Sequence, residues 1–312
     1  MLIEKKDLKL IFMGTPDIAA KVFLNMINDG YHFIGLIAQE DKPVGRKKIL
    51  EEVPTKKIAK QFNIPVFQPH KIRLDYEFVK ELKPDLIITI AYGQIVPQGL
   101  LDIPKYGCLN LHGSLLPKYR GAAPIQRAIG NGDSITGVTL MEMIDKMDAG
   151  RMYAKEEVII TEEDNYTSLK DKIADAASSL VIKSLPLYLD NKLKGEVQNE
   201  NEVTFADKIS KEDEKLELTT VKEFINKVRM LSYEPGGYLY HDDKKIKILR
   251  AKKYSDDVRL PIGNLDFENK KLLLQLKDGL IELSEVQPEG KKIMNGRDFA
   301  NGQKNLKDII LK

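Results

Sequence analysis

Two short apolar runs constrain the fold of this chain more than any other feature. Residues 8–13 and 86–91 are almost entirely apolar, which is typical of strands in a parallel sheet that is covered on both faces. Gly14 ends the first run, and a helix with Thr15 as its N-cap and Pro16 as its first residue is predicted to follow. Strands and helices continue to alternate up to residue 190, which predicts an α/β domain with a Rossmann-like, doubly wound, mostly parallel sheet.

The turn after the first strand lacks the glycine pattern of a dinucleotide site. It reads Gly14-Thr15-Pro16-Asp17 rather than G-x-G-x-x-G, and no G-x-x-x-x-G-K-[ST] loop occurs in the chain. Both patterns let backbone amides approach phosphates closely. NAD and ATP are therefore disfavoured as ligands, although the predicted fold is Rossmann-like.

The sequence pattern changes after residue 190. Residues 191–202 are polar without periodicity, and we predict a linker over residues 191–207. From residue 208 onward, short apolar runs alternate with turn signals, of which Asp278-Gly279 is a strong hairpin signal. We therefore predict one domain over residues 1–190 and a smaller, OB-like β-barrel domain over residues 208–312, a fold that often binds nucleic acids or sugars.

Composition excludes several classes of protein. Hydrophobic residues at 42% and charged residues at 31% indicate a globular protein, and no apolar run approaches the roughly 20 residues of a membrane helix. The charged first residues do not resemble a signal peptide, and the single cysteine, Cys108, fits a reducing compartment, so we expect a cytoplasmic protein. The four histidines lack zinc-site spacing, so no metal is expected. Residues 208–312 hold 22 Lys and Arg against 18 Asp and Glu, which allows a polyanionic partner.

Asn110 and His112 are the first candidates for a functional site. They are two positions apart in a predicted strand, so their side chains point to one face, about 7 Å apart. The strand ends in a loop that begins with Gly113, and open α/β sheets bind ligands at this edge. The alternative is that both side chains only cap nearby backbone groups, and spacing alone does not separate the two interpretations.

The residue types at this strand end suit attack on a carbonyl by an external nucleophile. Histidine exchanges protons near neutral pH, and an asparagine amide donates a hydrogen bond to developing negative charge. Asp145 and Asp148 lie in the turn after the next strand, and either carboxylate could orient the imidazole. Ser114 is close by, but its surroundings do not match the G-x-S-x-G pattern of a serine hydrolase.

A basic cluster ends a long loop that is predicted over residues 39–48. It consists of Arg46, Lys47 and Lys48 and follows Pro43 and Gly45. An ordinary solvated loop is the simpler interpretation. The alternative is a loop whose cations contact phosphates.

Several of these segments together resemble one enzyme family. The stretch over residues 110–126, NLHGSLLPKYRGAAPIQ, closely resembles the 10-formyltetrahydrofolate-dependent formyltransferases. Further stretches agree along essentially the whole chain, namely FMGTPD at 12–17, PVGRKK at 43–48, PVFQP at 65–69, AYGQIVP at 91–97, VTFADKI at 203–209 and QPEGKKIM at 287–294. The basic cluster and the C-terminal stretches are most similar to the branch that acts on methionyl initiator tRNA.

The resemblance implies a reaction and the residues that carry it. The formyl group of 10-formyltetrahydrofolate, the cosubstrate, would pass to the α-amino group of methionine on the initiator tRNA, for translation initiation. Asn110 and His112 would stabilise the oxyanion. Asp148, rather than Asp145, would support the histidine and help to deprotonate the amine. The resemblance also suggests a monomer.

The same resemblance implies two binding sites. The folate would lie in a cleft that is lined by two loops, formed by Ala91, Tyr92, Gly93, Gln94, Ile95 and Val96 and by Ser114, Leu115, Leu116 and Pro117. The tRNA would be held by the cluster of Arg46, Lys47 and Lys48 and by the C-terminal domain, with Lys208 near its start. The first domain would then be catalytic and the second would bind tRNA.

Two alternatives stay open. An N-formyltransferase that acts on an amino sugar nucleotide would share Asn110, His112 and Asp148 and differ in its acceptor, and a tRNA-binding protein without catalysis would use them only structurally. The basic cluster and the basic C-terminal region favour tRNA. The chain departs from the family at residues 232–238, where a tryptophan-containing stretch is usual and the sequence is SYEPGGY, with no tryptophan anywhere. The tRNA contacts of this region therefore stay open.

Overall fold

The chain folds into two compact units, as seen in a computed structural model that describes residues 5–44 and 49–312. The first unit comprises Met1–Pro124, Ile135–Ile159 and Lys170–Ala206, and the second comprises Ile125–Ser134, Ile160–Leu169 and Asp207–Lys312. None of the helices in the described part of the chain combines the length and the apolar character that spanning a bilayer requires.

A seven-stranded sheet forms the centre of the first unit. The strands of this unit are β1 (Leu10–Gly14), β2 (Phe33–Ile37), β3 (Lys42–Val44), β4 (Ile49–Glu51), β5 (Val66–Phe67), β6 (Leu86–Ile90), β7 (Cys108–His112), β8 (Ile135–Glu142) and β9 (Met152–Ile159). The sheet has the order β5-β2-β1-β6-β7-β8-β9, and β3 pairs with β4. The strands from β5 to β7 are parallel, and β8 and β9 extend the edge in antiparallel fashion. The prediction of a Rossmann-like, parallel-dominated sheet is confirmed.

The helices alternate with these strands in the first half of the chain. The α-helices of the two units are α1 (Asp17–Asn28), α2 (Pro54–Gln61), α3 (Glu77–Leu82), α4 (Gln98–Leu101), α5 (Pro124–Gly130), α6 (Tyr166–Leu189), α7 (Val221–Leu231) and α8 (Gly296–Asn301). The predicted N-cap at Thr15 is wrong, because Pro16 is the N-cap of α1 and provides no side-chain cap. The Thr15 hydroxyl instead accepts a hydrogen bond from the Gln39 backbone N–H (3.1 Å) and donates one to the Tyr92 carbonyl (3.4 Å). It therefore ties together the segments that follow β1, β2 and β6.

Strand β1 is buried on both of its faces. Ile11 and Met13 belong to a core cluster on one side of the sheet, which also contains Ile87. Phe12 points to the other side, where its ring stacks on Phe23 with centroids 4.6 Å apart. Because successive side chains of a strand point to opposite faces, an apolar residue is needed at every position. This explains why residues 10–13 form an uninterrupted apolar run rather than an alternating one.

The order of the strands reverses beside β1, since β2 and β5 lie on one side of it and β6 and β7 on the other. Gly14 ends β1 at this point. A Cβ atom there would lie 2.7 Å from the Ile90 carbonyl oxygen and 2.8 Å from the Ala19 Cβ, so the close approach of these segments requires glycine. Ligands of doubly wound sheets bind beyond the carboxyl ends of the strands at such a reversal.

An antiparallel sheet forms most of the second unit. Its strands are β10 (Gly237–His241), β11 (Lys244–Ser255), β12 (Leu265–Glu268), β13 (Lys271–Gln275), β14 (Leu280–Pro288) and β15 (Met294–Asn295), in the order β10-β11-β14-β13-β12 with β15 beside β14. Thr220 and Glu223 form a capping box at the start of α7, and the Asp278 carboxylate accepts a hydrogen bond from the Val221 N–H at 2.7 Å. The separate, smaller β-rich unit is confirmed.

Two segments that were predicted as irregular are paired with other parts of the first unit. β3 and β4 form an antiparallel ladder on either side of residues 45–48, and Arg46, Lys47 and Lys48 lie outside the described residues. Residues 191–206, predicted as linker, cluster with the first unit. Met152 and Glu196 exchange backbone hydrogen bonds of 2.9 and 2.8 Å. The predicted domain boundaries themselves stay a prediction.

The packing around β7 can be tested at Cys108. This residue is 3% exposed, and burial, with a smaller effect of Asp102, raises the pKa of its thiol to about 12. We expect the folded protein to resist iodoacetamide at about pH 8, because the thiolate is the reactive form. The same protein unfolded in urea should take up one label per chain, as measured by mass spectrometry. Labelling of the folded protein at the rate of a free thiol would contradict this packing.

Candidate active site

Asn110 and His112 lie together at the carboxyl half of β7. Asn110 pairs with Thr89 of β6 and Met141 of β8, and His112 pairs with Thr139 of β8. The His112 side chain is buried, whereas Asn110 is half-buried. Among the described residues, the Asn110 amide has no hydrogen-bond partner, and it is therefore available to a ligand.

The two ring nitrogens of His112 have different surroundings. Nε2 lies 2.8 Å from the Tyr119 carbonyl oxygen. Since a carbonyl oxygen only accepts hydrogen bonds, Nε2 carries a proton. Nδ1 faces Asp148, with 3.6 Å between Nδ1 and Oδ1. The ring nitrogen that is not bonded to Tyr119 therefore faces Asp148.

Asp148 reaches His112 through a loop that folds back along the sheet. β7 and β8 are antiparallel, so the loop after β8 starts beside the start of β7 and has to run back along that strand. Asp148 adopts a φ of 49°, in the left-handed region, and its Oδ2 accepts a hydrogen bond from the Gly121 N–H at 2.8 Å. Asp145, the other candidate carboxylate, is exposed. The carboxylate beside His112 is thus that of Asp148.

Two buried side chains hold the turn that contains Asp148. The Gln198 Nε2 donates hydrogen bonds to the carbonyl oxygens of Asp148 and Gly150, both at 2.8 Å. Its Oε1 accepts a hydrogen bond from Nε of Arg120 at 2.9 Å. The Arg120 side chain is 1% exposed and pairs with Glu200 at 2.9 Å. Every polar group of this buried set therefore has a partner.

The loop after β7 is held in shape by its own hydrogen bonds. It contains the predicted folate residues Ser114, Leu115, Leu116 and Pro117, which are buried except for the half-buried Leu115. The Ser114 hydroxyl donates to the Lys118 carbonyl at 2.7 Å, and the Ser114 carbonyl accepts from the Thr139 hydroxyl at 2.7 Å. Lys155 donates to the Leu116 carbonyl at 2.7 Å. The Ser114 hydroxyl is thus engaged within the loop itself.

The loop after β6 also directs its polar side chains inward. Its predicted folate residues divide into buried Tyr92 and Val96, half-buried Gln94, and exposed Ala91, Gly93 and Ile95. Gln39 donates to the Tyr92 carbonyl at 2.6 Å, and the Gln94 Oε1 accepts from the Ile72 N–H at 2.9 Å. Burial raises the pKa of the Tyr92 phenol well above its usual range. The exposed surface of this loop is therefore formed by backbone and apolar groups.

Four further residues were predicted to contact tRNA. Lys208 is exposed and belongs to the second unit, and Arg46, Lys47 and Lys48 are not among the described residues. Over residues 5–44 and 49–312, no group of three or more His, Cys, Asp or Glu side chains is arranged to hold a metal ion.

Sequence reasoning missed three residues of this arrangement, namely Arg120, Gly121 and Gln198. Arg120 and Gly121 belong to the stretch over residues 110–126 that resembles the family, but no role was assigned to them. Gln198 lies in the polar segment that we predicted as linker, where no periodicity or motif marks it. A buried arginine needs a buried polar partner, but nothing in the sequence shows that Arg120 is buried.

Both halves of the chain match models of formyl transferase domains. The formyl transferase model matches residues 8–185, and the formyl transferase C-terminal domain model matches residues 208–304. The methionyl-tRNA formyltransferase of Lactobacillus johnsonii is 42% identical over 298 residues, which cover 94% of this chain and 95% of that protein. The chain belongs to the methionyl-tRNA formyltransferase family. The methionyl-tRNA formyltransferase of Bacillus subtilis is 41% identical over 299 residues, or 94% of each protein.

Solved structures outside the methionyl-tRNA formyltransferase family share the fold at low identity. HypX from Aquifex aeolicus, in complex with tetrahydrofolic acid, has a TM-score of 0.69 at 16% identity, over 94% of this chain and 47% of that chain. An N-formyltransferase from Helicobacter canadensis, in complex with folinic acid and dTDP-3-aminofucose, has a TM-score of 0.67 at 19% identity, over 88% and 98% of the two chains. At these identities the likeness shows the fold alone.

Substitution of Gly121 tests how tightly this site of the formyltransferase is packed. Gly121 has a φ of 123°, and a Cβ atom there would lie 2.7 Å from the Ala206 carbonyl oxygen. Gly30 is a matched control, because it has a φ of 91° and an added Cβ would meet nothing within 4 Å. We expect Gly30→Ala to cost about 1 kcal/mol of unfolding free energy and Gly121→Ala about 1–3 kcal/mol more, because of overpacking. Urea denaturation measures both, and equal losses would refute the close contact.

Proposed function

We propose that this chain transfers the formyl group of 10-formyltetrahydrofolate to the α-amino group of methionine on initiator methionyl-tRNA. The products are N-formylmethionyl-tRNA and tetrahydrofolate, and the reaction serves translation initiation. The observation that carries this proposal is the similarity to methionyl-tRNA formyltransferases, at 42% identity to the Lactobacillus johnsonii enzyme over 94% of the chain. A cytoplasmic location and a monomeric state are part of the proposal.

The polar groups at β7 support direct transfer to an external amine. The Ser114 hydroxyl donates to the Lys118 carbonyl, and the Cys108 thiol is buried with a raised pKa, so neither side chain is a suitable nucleophile. Asn110, His112 and Asp148 instead supply a hydrogen-bond donor, a proton carrier and a carboxylate. Attack on a carbonyl by an amine that belongs to the substrate requires these groups and no enzyme nucleophile.

In the proposed reaction, the methionine nitrogen bonds to the formyl carbon and the carbonyl electron pair moves onto the formyl oxygen. The Asn110 amide donates a hydrogen bond to this oxyanion, which is the role for which a preorganised donor is most effective. The bond from the formyl carbon to N10 of the folate then breaks. N10 takes up a proton in place of the one that the amine has lost, so the transfer releases no net proton.

His112 and Asp148 carry the proton in this proposal. Because Nε2 of His112 donates to Tyr119, Nδ1 is the nitrogen that gains and loses a proton, 3.6 Å from Oδ1 of Asp148. When Nδ1 is protonated, it offers a second donor to the oxyanion. The Gly121 N–H donates a hydrogen bond to Oδ2 of Asp148. Oδ1 is therefore left to support the imidazolium and to help remove the proton from the amine.

The two loops beyond β6 and β7 form the proposed folate site. The residues assigned to it are Ala91, Tyr92, Gly93, Gln94, Ile95 and Val96 after β6, and Ser114, Leu115, Leu116 and Pro117 after β7. The pterin would be contacted mainly by backbone groups, because Gln94 already accepts a hydrogen bond from Ile72 and Ser114 donates one to Lys118. Ile95 is 81% exposed, and burial of this side chain against the folate would supply apolar contact.

The proposed tRNA contacts are the cationic cluster of Arg46, Lys47 and Lys48 and the second unit, with the exposed Lys208 near its start. Lysine and arginine bind phosphates without regard to sequence, and each phosphate contact makes binding weaker at higher salt. These residues would therefore contribute affinity for tRNA in general, while selection of the initiator needs other contacts.

Acceptor identity is the decisive test of the proposed function. The purified protein is supplied with 10-formyltetrahydrofolate and either methionyl initiator tRNA or a nucleotide-linked amino sugar, the acceptor class of the main alternative. We expect formylation of the methionyl-tRNA and none of the sugar, as measured by transfer of labelled formyl groups. Formylation of the sugar alone would replace the proposed acceptor, and turnover with neither would favour a binding protein without catalysis.

The two aspartates of the loop after β8 provide a matched pair for testing the site. Asp148→Asn keeps the side-chain shape but removes the charge beside His112, and we expect kcat to fall by at least about 10²-fold, the usual scale for a group that moves a proton. Asp145→Asn makes the same change at an exposed position, and kcat should stay within about twofold. Equal effects in steady-state formylation assays would show that Asp148 has no special role.

A further inference from the structure

We propose that Gln198 is a positioning residue, which fixes the backbone of Asp148 and thereby the placement of its carboxylate beside His112. The inference rests on the proposed function in one respect, the joint action of Asp148 and His112. Gln198 bonds to the backbone of the Asp148 turn and to Arg120, so its effect on the reaction passes through Asp148.

Gln198 is 4% exposed, and both the NH₂ group and the oxygen of its side-chain amide form hydrogen bonds. The carbonyls of Asp148 and Gly150 can only accept hydrogen bonds, and Nε of Arg120 can only donate one. The partners therefore define the orientation of the amide, with Nε2 towards the two carbonyls and Oε1 towards the guanidinium. A glutamine satisfies all three groups at once, because its NH₂ has two hydrogens and its oxygen accepts.

The backbone conformation of the turn around Asp148 has to be stabilised by contacts with other segments of the chain. Asp148 has a φ of 49°, a conformation that the Cβ atom disfavours. Gly150 passes so close to Glu142 that a Cβ atom would lie 2.0 Å from its carbonyl oxygen. By accepting hydrogen bonds from one amide, the carbonyls of Asp148 and Gly150 fix two peptide planes of this turn together.

The same amide is coupled to the loop that binds the Asp148 carboxylate. Arg120 donates to the Gln198 Oε1, and the next residue, Gly121, donates its N–H to Oδ2 of Asp148. Asp148 is therefore held at its carbonyl by Gln198 and at its carboxylate by Gly121. The 1% exposed Arg120 side chain connects the two supports, and loss of either end of the Gln198 amide should shift the carboxylate.

Gln198→Glu is the sharpest test. The new side chain has the same size and still offers an oxygen that accepts from Arg120, but its second oxygen cannot donate to the carbonyls of Asp148 and Gly150. At about pH 7.5 we expect kcat for methionyl-tRNA formylation to fall at least about tenfold, while both KM values stay within about twofold, as positioning groups act on the chemical step. Burial and the two facing carbonyl oxygens raise the pKa of the new carboxyl, while the Arg120 guanidinium at the other end lowers it. Lowering the pH should protonate this carboxyl and restore a donor. The ratio of the variant kcat to the wild-type kcat should therefore rise as pH falls.

Gln198→Ala removes the donor and the acceptor together, so we expect a loss of kcat at least as large and no recovery at low pH. Asn199→Ala is the control for disturbance of the same segment. Asn199 accepts a hydrogen bond from the Asn201 N–H at 3.1 Å and caps the turn over residues 200–202, and kcat of this variant should stay within about twofold of wild type. A normal kcat in Gln198→Glu at every pH, or an equal loss in Asn199→Ala, would overturn the inference.

The Gly121 amide provides a readout that does not need substrate. Its ¹H–¹⁵N resonance reports the hydrogen bond to Asp148, and Asp148→Ala gives the position without that bond. We expect Gln198→Glu to move the resonance towards the Asp148→Ala position, and a wild-type position would overturn the inference even if kcat fell. If the wild-type protein formylates no methionyl-tRNA, the proposed function fails and the Gly121 resonance alone decides whether Gln198 positions Asp148.

Discussion

Burial of β1 on both faces is the constraint from which the rest of the first unit follows. The side chains of residues 10–13 are at most 1% exposed, so packed side chains and helices have to cover both faces and further strands have to lie on both sides. The resulting strand order reverses between β1 and β6 and brings the carboxyl ends of β6 and β7 to the same edge of the sheet. Asn110 and His112 lie in β7 near this edge, and the two proposed folate loops begin there.

The proposed catalytic arrangement depends on hydrogen bonds between distant parts of the chain. Arg120 and Gln198 are 78 positions apart, and Gly121 and Asp148 are 27 positions apart. A buried guanidinium or amide without a partner costs about 1–3 kcal/mol or more, so the burial of Arg120 makes these contacts mutually dependent. The segment that carries Gln198 thus belongs to the support of the site, although its composition resembles that of a linker.

Fold and acceptor are separate questions for this protein. The Helicobacter canadensis N-formyltransferase shares the fold at 19% identity in a complex with an amino sugar nucleotide, and one fold can host different acceptors. The proposed acceptor therefore rests on the nearly full-length relatives, such as the Bacillus subtilis enzyme at 41% identity. In the proposed function, formyl transfer takes place at the end of β7, and the loops and the second unit would supply the contacts that distinguish acceptors.

Local patterns were sufficient to predict the apolar strands and the hairpin at Asp278-Gly279, and the resemblance of several stretches was sufficient to predict the family. They predicted that Asn110 and His112 share one face of a strand, because that depends only on the period of a strand. They were wrong about Thr15, whose hydroxyl binds two strand-end segments rather than capping α1. Chain folding over long distances determined that Asp148 lies 3.6 Å from His112 and that Gln198 is buried, since these facts depend on contacts between segments whose separation in sequence no periodicity encodes.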